Sequence, residues 1–383
     1  MTFPSLAGLY LHIPFCKQAC HYCDFHFSTN RSNQEAMVAA MVQEIKWRHN
    51  YLPEKSLQTI YFGGGTPSLL PTPLLAALLE AIHQTFDTSA LREVTLEANP
   101  DDLNPAVLQA WYDLGIRRLS VGIQSFNEQH LRYLNRAHDA AQALRGVDMA
   151  RRVGFEAFSI DLIYAIPAES HRVWEADLAQ ALALDVSHIS AYCLTIEERT
   201  VFGNRLAKGL MAPIPDQWAA TQFEMLTQAL GDAGYEHYEI SNFARQGRYA
   251  IHNTAYWQMK PYIGIGPGAH AFDGQNRHAN VANNARYIRS ILQENTLPAT
   301  LEVLSPADRA NELLLVGLRT QWGVSVAALS QLLGQDWYIY NQTTVEAHLA
   351  QAWLEWTADG QRLRIPPQAR LLADHICATL FVD

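Results

Sequence analysis

The sequence predicts an α/β fold: a parallel sheet curling into a partial barrel, followed by a small helical domain. Three observations carry this. Short apolar runs alternate with stretches of helical periodicity six times between residues 9 and 232. Of the 383 residues, 49% are hydrophobic and 17% charged, enough to bury one large core and a smaller one. From about residue 305 the alternation gives way to helical spacing, closed by a hairpin. Repeated β-then-α units bring parallel strands side by side, so six of them imply a barrel or partial barrel, whereas eight would close it.

The first strand, 9–13, runs directly into a loop holding three of the five cysteines, Cys16, Cys20 and Cys23, spaced Cys-x3-Cys-x2-Cys. Met37, Val38, Met41, Val42 and Ile45 then recur at helical spacing. A second strand, 57–62, ends in Gly63-Gly64-Gly65-Thr66-Pro67, with a helix from about 73 to 86. Strand three, 92–98, precedes a helix after Asn104-Pro105; strand four, 117–123, precedes a helical stretch to about 152. Strand five, 155–163, is followed by a helix near 172–184. Strand six, 187–194, leads through a loop with Gly203, Gly209, Pro213 and Pro215 to a helix near 217–232. Residues 234–300 show no clear period, and Asn276, Asn280, Asn283 and Asn284 read as a loop or linker. Helices at 307–320, 325–334 and 341–352 precede a hairpin of 353–357 and 362–365 around Asp359-Gly360. The expected division is 1–300 and 301–383, the second part winged-helix-like. Residues 341–351 contain no Lys or Arg, so that module reads as a cover or partner surface and not as a DNA reader.

Charge narrows the function classes. The net charge is −10 and no basic tract occurs, which disfavours nucleic acid as a partner. No apolar run reaches about 18 residues, so no transmembrane segment is expected. The first basic residue, Lys17, follows the mildly apolar start, the reverse of a signal peptide. The chain therefore reads as cytoplasmic, where thiols stay reduced. Cys193 and Cys377 stand alone and read as small core residues. Oligomeric state is not legible.

Three thiolates on one loop can converge on one metal centre, yet a fully ligated iron–sulfur cube takes four. Three leave one iron open to a non-protein ligand. A structural zinc site borrowing His12, His21 or His26 is the alternative, since zinc favours a closed tetrahedral set. A disulfide framework is disfavoured by the odd number of cysteines in one tight loop. In a parallel β/α barrel the site lies at the carboxyl ends of the strands. There this chain carries the triple glycine, Glu97 and Asn99, Gln124 and Ser125, and Asp161.

The cysteine spacing, the Tyr22-Cys23 ending and the position after a first strand resemble the cluster loop of radical S-adenosyl-L-methionine (SAM) proteins. That resemblance implies a 4Fe-4S cluster on Cys16, Cys20 and Cys23, with the methionine amino and carboxylate groups of SAM on the free iron. It also implies a six-unit open radical SAM barrel, (β/α)6. Over most of the chain the cysteine loop, Gly63-Gly64-Gly65-Thr66-Pro67, Glu97-Ala98-Asn99-Pro100, Gly122-Ile123-Gln124-Ser125-Phe126, Asn135-Arg136 and Asp161-Leu162-Ile163-Tyr164 together resemble the oxygen-independent coproporphyrinogen III oxidase family. Its SAM contacts, carried onto matching positions, are Tyr10 and Tyr22 beside the cluster, then Gly64, Gly65, Thr66, Glu97, Gln124, Arg136 and Asp161. Carboxylates suit ribose hydroxyls and the amine of SAM, and backbone amides suit its carboxylate.

Two features depart from the oxidases: Asp24-Phe25 follows Cys23 with no fourth cysteine, and only fifteen residues precede Cys16. With His252-Asn253-Thr254-Ala255-Tyr256-Trp257, these resemble the HemW branch of heme chaperones. That resemblance implies heme as ligand, heme-requiring client proteins such as respiratory ones as partners, and His252 as a heme contact. Histidine is a common axial ligand of heme iron, and Tyr256 and Trp257 suit a porphyrin face. His270 in Gly264-Ile265-Gly266-Pro267-Gly268-Ala269-His270 is a second histidine nearby. The alternative function is oxidative decarboxylation of coproporphyrinogen III; radical chemistry on another tetrapyrrole or small substrate is a third.

Overall fold

The computed structural model describes residues 7–52 and 55–382. Strands β1 (Ala7–Ile13), β2 (Leu57–Gly64), β3 (Glu93–Ala98), β4 (Arg118–Gln124), β5 (Ala157–Tyr164) and β6 (His188–Cys193) lie parallel in chain order. The crossovers carry helices α1 (Gln34–Trp47), α2 (Thr72–Thr85), α3 (Pro105–Asp113), α4 (Glu128–Tyr133), α5 (Ala140–Val153) and α6 (Arg172–Ala183). The single helical stretch read before residue 152 is thus two helices. Asn135 adopts φ 57° between them, and Asp139 starts α5 with a capping box completed by Gln142.

Strand alternation explains the layers. Leu9, Leu11, Ile60, Phe62, Leu96 and Leu119 are fully buried with the helices, each worth about 1.5–3 kcal/mol over exposure. Alternate positions carry polar groups that bond from strand to neighbouring strand on the lumen side. Arg118 donates to Ser159 Oγ at 2.7 Å, Ser159 meets His188 Nδ1 at 2.5 Å, and His188 Nε2 meets the Tyr238 hydroxyl at 2.7 Å. This part of the lumen is polar, and that suits a ligand-binding interior.

After β6 come α7 (Val201–Ala207), α8 (Asp216–Asp232), and the short β7 (Glu236–His237) and β8 (Asn242–Ala244), which extend the sheet beyond β6. Helix α9 (Ile251–Trp257) follows. Then β9 (Tyr262–Ile265) pairs parallel with β1, and β10 (His270–Phe272), β11 (Asn276–Asn280), α10 (Asn284–Leu292) and β12 (Ala299–Val303) complete a meander on that edge. The Asn-rich stretch is therefore not a linker. Asn280 is buried against Glu44 of α1 and the Gly266 carbonyl, at 2.8 and 2.9 Å, and Asn283 caps α10. Glu44 also accepts from the Gly266 amide (2.9 Å) and the Tyr287 hydroxyl (2.6 Å) and pairs with Arg48. Those partners satisfy asparagines that sequence patterning assigns to loops.

Helices α11 (Pro306–Leu318), α12 (Val326–Leu333), α13 (Trp337–Ala350) and α14 (Ala373–Ala378) form the C-terminal module with a sheet of β13 (Val324–Ser325), β14 (Glu355–Trp356) and β15 (Arg362–Arg364), ordered β13-β15-β14. Its core is its own, with Leu314, Trp337, Val345, Leu363 and Ile376 at its centre. It is tied to the barrel through the Gln321 amide on the Tyr238 carbonyl (2.9 Å) and Arg370 on the His237 carbonyl (2.6 Å). Among the described residues no helix is long and apolar enough to cross a membrane.

Candidate functional site

The loop between β1 and α1 is pinned at several points, and this places its thiols. Residue 15 bridges to Ser28, and the Cys16 amide donates to the Ser28 carbonyl at 3.0 Å. On the far side the His21 amide donates to the Leu134 carbonyl (3.1 Å), and Asn135 Nδ2 donates to the Ala19 carbonyl (2.7 Å). Lys17 forms ion pairs with Asp101 and Asp102 just after β3. Cys16, Cys20 and Cys23 are free, half-buried thiols lining one cavity of about 540 Å³ at the carboxyl ends of the strands. Burial pushes the Cys16 thiol up and the Cys23 thiol to about 11. Thr66 Oγ1 lies 3.4 Å from the Cys16 sulfur and Arg136 Nη1 3.4 Å from the Cys20 sulfur, so both sulfurs face a donor.

The other walls come from successive strand ends. Gly64, at φ +106°, leaves no room for a side chain: a Cβ would meet the His12 ring at 2.7 Å. At Gly65 a Cβ would meet the carbonyls of Ile13 and Phe15 at 2.8 Å. The triple glycine therefore lets β2 close down on the cysteine loop. Glu97 accepts from the Tyr61 hydroxyl (2.7 Å) and the Gly64 amide (3.1 Å). Burial lifts its carboxyl from 4.5 to about 7, with Asp161 adding repulsion and the two hydrogen bonds opposing. Burial likewise lifts Asp161 to about 6 against hydrogen bonds from Ser190 and Ser120. Gln124 ends β4 at φ +69°, and the turn after it is held by buried Asp177, which accepts from Ser125 Oγ (2.5 Å) and the Phe126 amide (2.8 Å). Arg136 donates to the Gly122 carbonyl (2.8 Å), Asn99 (2.5 Å) and the Tyr22 hydroxyl (3.4 Å).

Of the residues singled out in the sequence, Cys16, Cys20, Tyr22, Cys23, Gly64, Gly65, Thr66, Glu97, Asn99, Gln124, Arg136 and Asp161 all line this cavity. Tyr10 does not. It lies a layer deeper, its hydroxyl 3.1 Å from His12 Nδ1 and its ring stacked on Tyr61. His252 does not face the cavity either. It is 1% exposed, and its Nδ1 and Nε2 are taken by Thr59 (2.7 Å) and Tyr256 (2.8 Å) at the amino ends of the strands. Ligation of heme iron by this ring would require α9 to leave the barrel. His270 is exposed but outside the lining.

Cys193 is also corrected: it is exposed on the cavity wall where β6 ends, whereas Cys377 is buried in the C-terminal core. Its place at a strand end was the available signal. Lys17, Tyr192 and the rim residues Phe25 and Phe27 were missed, since single lysines and aromatics carry no motif. Of the histidines in the zinc alternative only His12 is held at both ring nitrogens, its Nδ1 3.1 Å from the Tyr10 hydroxyl. His12 Nε2 is 2.8 Å from the His26 carbonyl, His21 Nδ1 is 2.9 Å from the Tyr133 carbonyl, and His26 Nε2 is 2.7 Å from Asn284. A more open groove of about 660 Å³, lined by Arg151, Asp185 and Arg245, lies at the opposite ends of the strands and holds none of the thiols.

Comparison with known proteins agrees with this geometry. The model of the radical SAM superfamily matches residues 10–180, and that of the HemN C-terminal domain matches 304–372. A heme chaperone HemW from Lactococcus lactis subsp. lactis (strain IL1403) is 36% identical over 318 residues, covering 83% of this chain and 82% of that one. HemW from Bacillus subtilis (strain 168) is 34% identical over 333 residues, covering 86% and 88%. Among solved structures, the coproporphyrinogen III oxidase HemN from Escherichia coli, described as a radical SAM enzyme, superposes with a TM-score of 0.82. It covers 99% of this chain and 91% of that one at 22% identity, a likeness of fold. From the three-thiol loop, the strand-end set and these kinships together, the chain belongs to the HemW family of radical SAM proteins.

Proposed function

We propose that this protein is a heme chaperone, one that binds heme and hands it to heme-requiring client proteins while carrying a 4Fe-4S cluster and SAM. The observation that carries the reading is a three-thiol loop ending Cys23-Asp24-Phe25, in a chain whose HemW relatives match over more than four fifths of its length. The cavity's chemistry fits the two cofactors the family implies. Three thiols on one pinned loop leave one corner of an iron cube open. Among the described residues Glu97 has no ion-pair partner, and the buried Arg136 Nε has no hydrogen-bond partner, so the cavity is short of both a cation and an acceptor. A sulfonium ligand bearing an amine and a carboxylate would meet those needs.

Cys16, Cys20 and Cys23 would hold the cluster, and the remaining residues have separable tasks. The cluster, when bound, supplies a redox-active iron centre with one site open to SAM. Thr66 and Arg136 direct donors at two of the sulfurs, those of Cys16 and Cys20. Glu97 and Asp161 offer carboxylates to ribose hydroxyls or an amine, and Gln124 is held over the cavity by its strained turn. Lys17 fixes the loop against β3 and limits its movement. Phe25, 70% exposed, and Tyr192, 44% exposed, present aromatic surface at the rim suited to one face of a porphyrin. The net charge of −10 and the lack of a basic tract disfavour nucleic acid as a partner, and a loop of three cysteines suits a reducing, cytoplasmic setting.

The competing reading, coproporphyrinogen III decarboxylation, draws on the same strand-end set and the fold likeness to the oxidase. One sample separates them. On anaerobic, cluster-loaded protein, hemin titration should give a saturable Soret shift, and the bound heme should pass to an added heme-free acceptor protein. Incubation with coproporphyrinogen III, SAM and reductant should yield no protoporphyrinogen IX. Turnover of coproporphyrinogen without heme retention would reverse the assignment.

A further inference from the structure

Helix α9 enters the barrel from the end opposite the thiols. Glu93, the first residue of β3, accepts the backbone amides of Ile251 (2.9 Å) and His252 (3.0 Å), so the first turn is tied to the sheet through N–H groups that a helix leaves unpaired. The His252 ring then reaches the lumen through a gap left by a glycine: a Cβ at Gly8 would meet the imidazole at 3.1 Å. Thr59 Oγ1 fixes Nδ1 at 2.7 Å and the Tyr256 hydroxyl fixes Nε2 at 2.8 Å. Held at both nitrogens, the ring lies stacked against Tyr61, centroids 4.9 Å apart at 21°. Tyr10 closes the same stack, 6.0 Å from Tyr61 and 6.4 Å from His252. The Tyr61 hydroxyl donates to Glu97, which lines the cavity, at 2.7 Å. Contact thus runs unbroken from α9 to a wall of the proposed SAM site.

We infer that His252 is a positioning residue of the SAM site: clamped between Thr59 and Tyr256, it holds the Tyr61 ring so that its hydroxyl stays on Glu97. The role rests on the SAM binding proposed above. Its physical basis is geometric. A tyrosine ring turns about two side-chain torsions, and a stacked partner that cannot slide removes that freedom. The hydrogen bond then presents one Glu97 oxygen in one direction. Helix α9 also contacts α11, so the C-terminal module bears on the same stack.

The test uses full-length, cluster-loaded protein, with melting curves and iron content confirming that each variant is folded and loaded. His252→Phe keeps an aromatic ring in the stack but removes both ring hydrogen bonds; Tyr61→Phe removes only the hydroxyl on Glu97. SAM affinity is read by calorimetry and hemin affinity by Soret titration on the same preparations. His252→Phe is expected to weaken SAM binding roughly tenfold, with hemin binding unchanged. Tyr61→Phe should weaken SAM to a similar degree, and the double variant should be little weaker than either, because both act on one contact. Thr59→Val, which lacks the partner of Nδ1, carries the same test if His252→Phe does not fold. Wild-type SAM affinity in these variants, or fully additive losses, would overturn the inference. So would loss of the Soret shift in His252→Phe with SAM binding intact, which would return the ring to heme. A wild-type protein that does not bind SAM at all removes the proposed SAM site itself, an outcome distinct from a failure confined to the variants.

Discussion

Burial lifts the Glu97 carboxyl from its ordinary 4.5 to about 7, so the native state holds this proton more tightly than the unfolded chain does. The group's contribution to stability is present in full below about pH 4.5 and is lost as pH rises through 7; Asp161, lifted to about 6, acts in the same direction. A cationic ligand reverses the preference, because it favours the ionised carboxylate. SAM affinity should therefore rise between about pH 6 and 8 and flatten in Glu97→Gln, read by calorimetry across that range. An identical pH profile in the variant would remove Glu97 from the cation's surroundings. At this scale the cysteines were legible from their spacing, and the carboxylates from their places at strand ends. His252 was not. A histidine in a motif carries no mark of whether its nitrogens face a cavity or are satisfied inside a barrel, and only the Gly8 gap and the Thr59 and Tyr256 partners decide that.

Helix α1 and the β9–β12 meander are joined by one buried carboxylate, Glu44, which gathers Arg48, Asn280, Tyr287 and the Gly266 amide. Glu44→Ala would strand a buried guanidinium and several polar groups, at a cost of about 3–5 kcal/mol in denaturant unfolding. A loss under about 1 kcal/mol would mean that the junction is held by its apolar contacts alone. The six barrel strands were readable because each is a compact apolar run followed by a helical period. The meander was not, because β10 has only three residues and β11 is rich in polar residues that resemble loop composition. Asn280 and His278 of β11 find their partners in Glu44 and Tyr51, more than 200 residues earlier, and local patterning cannot show such pairing. The same holds for the break between α4 and α5, where Asn135 in the left-handed region turns the chain and delivers Arg136 to the cavity.

The molecule has a barrel core, a C-terminal core and a smaller cluster of Leu134, Ile163, Ile166, Leu194 and Phe202, with α9 lodged between the barrel floor and α11. The change of period near residue 305 made the second core legible, although α14 was not, since six residues at the chain's end offer too little periodicity. The thiols stand at one end of the barrel and the His252 block at the other, facing the same lumen from opposite sides. All of this depends on what the three sulfurs hold. The direct measurement is iron and acid-labile sulfide per chain after anaerobic reconstitution, with electron paramagnetic resonance of the reduced centre before and after SAM. The expected result is about four irons and four sulfides, a spectrum altered by SAM, and loss of both in Cys16→Ala, Cys20→Ala or Cys23→Ala. A single zinc without sulfide, or an iron signal indifferent to SAM, would contradict it.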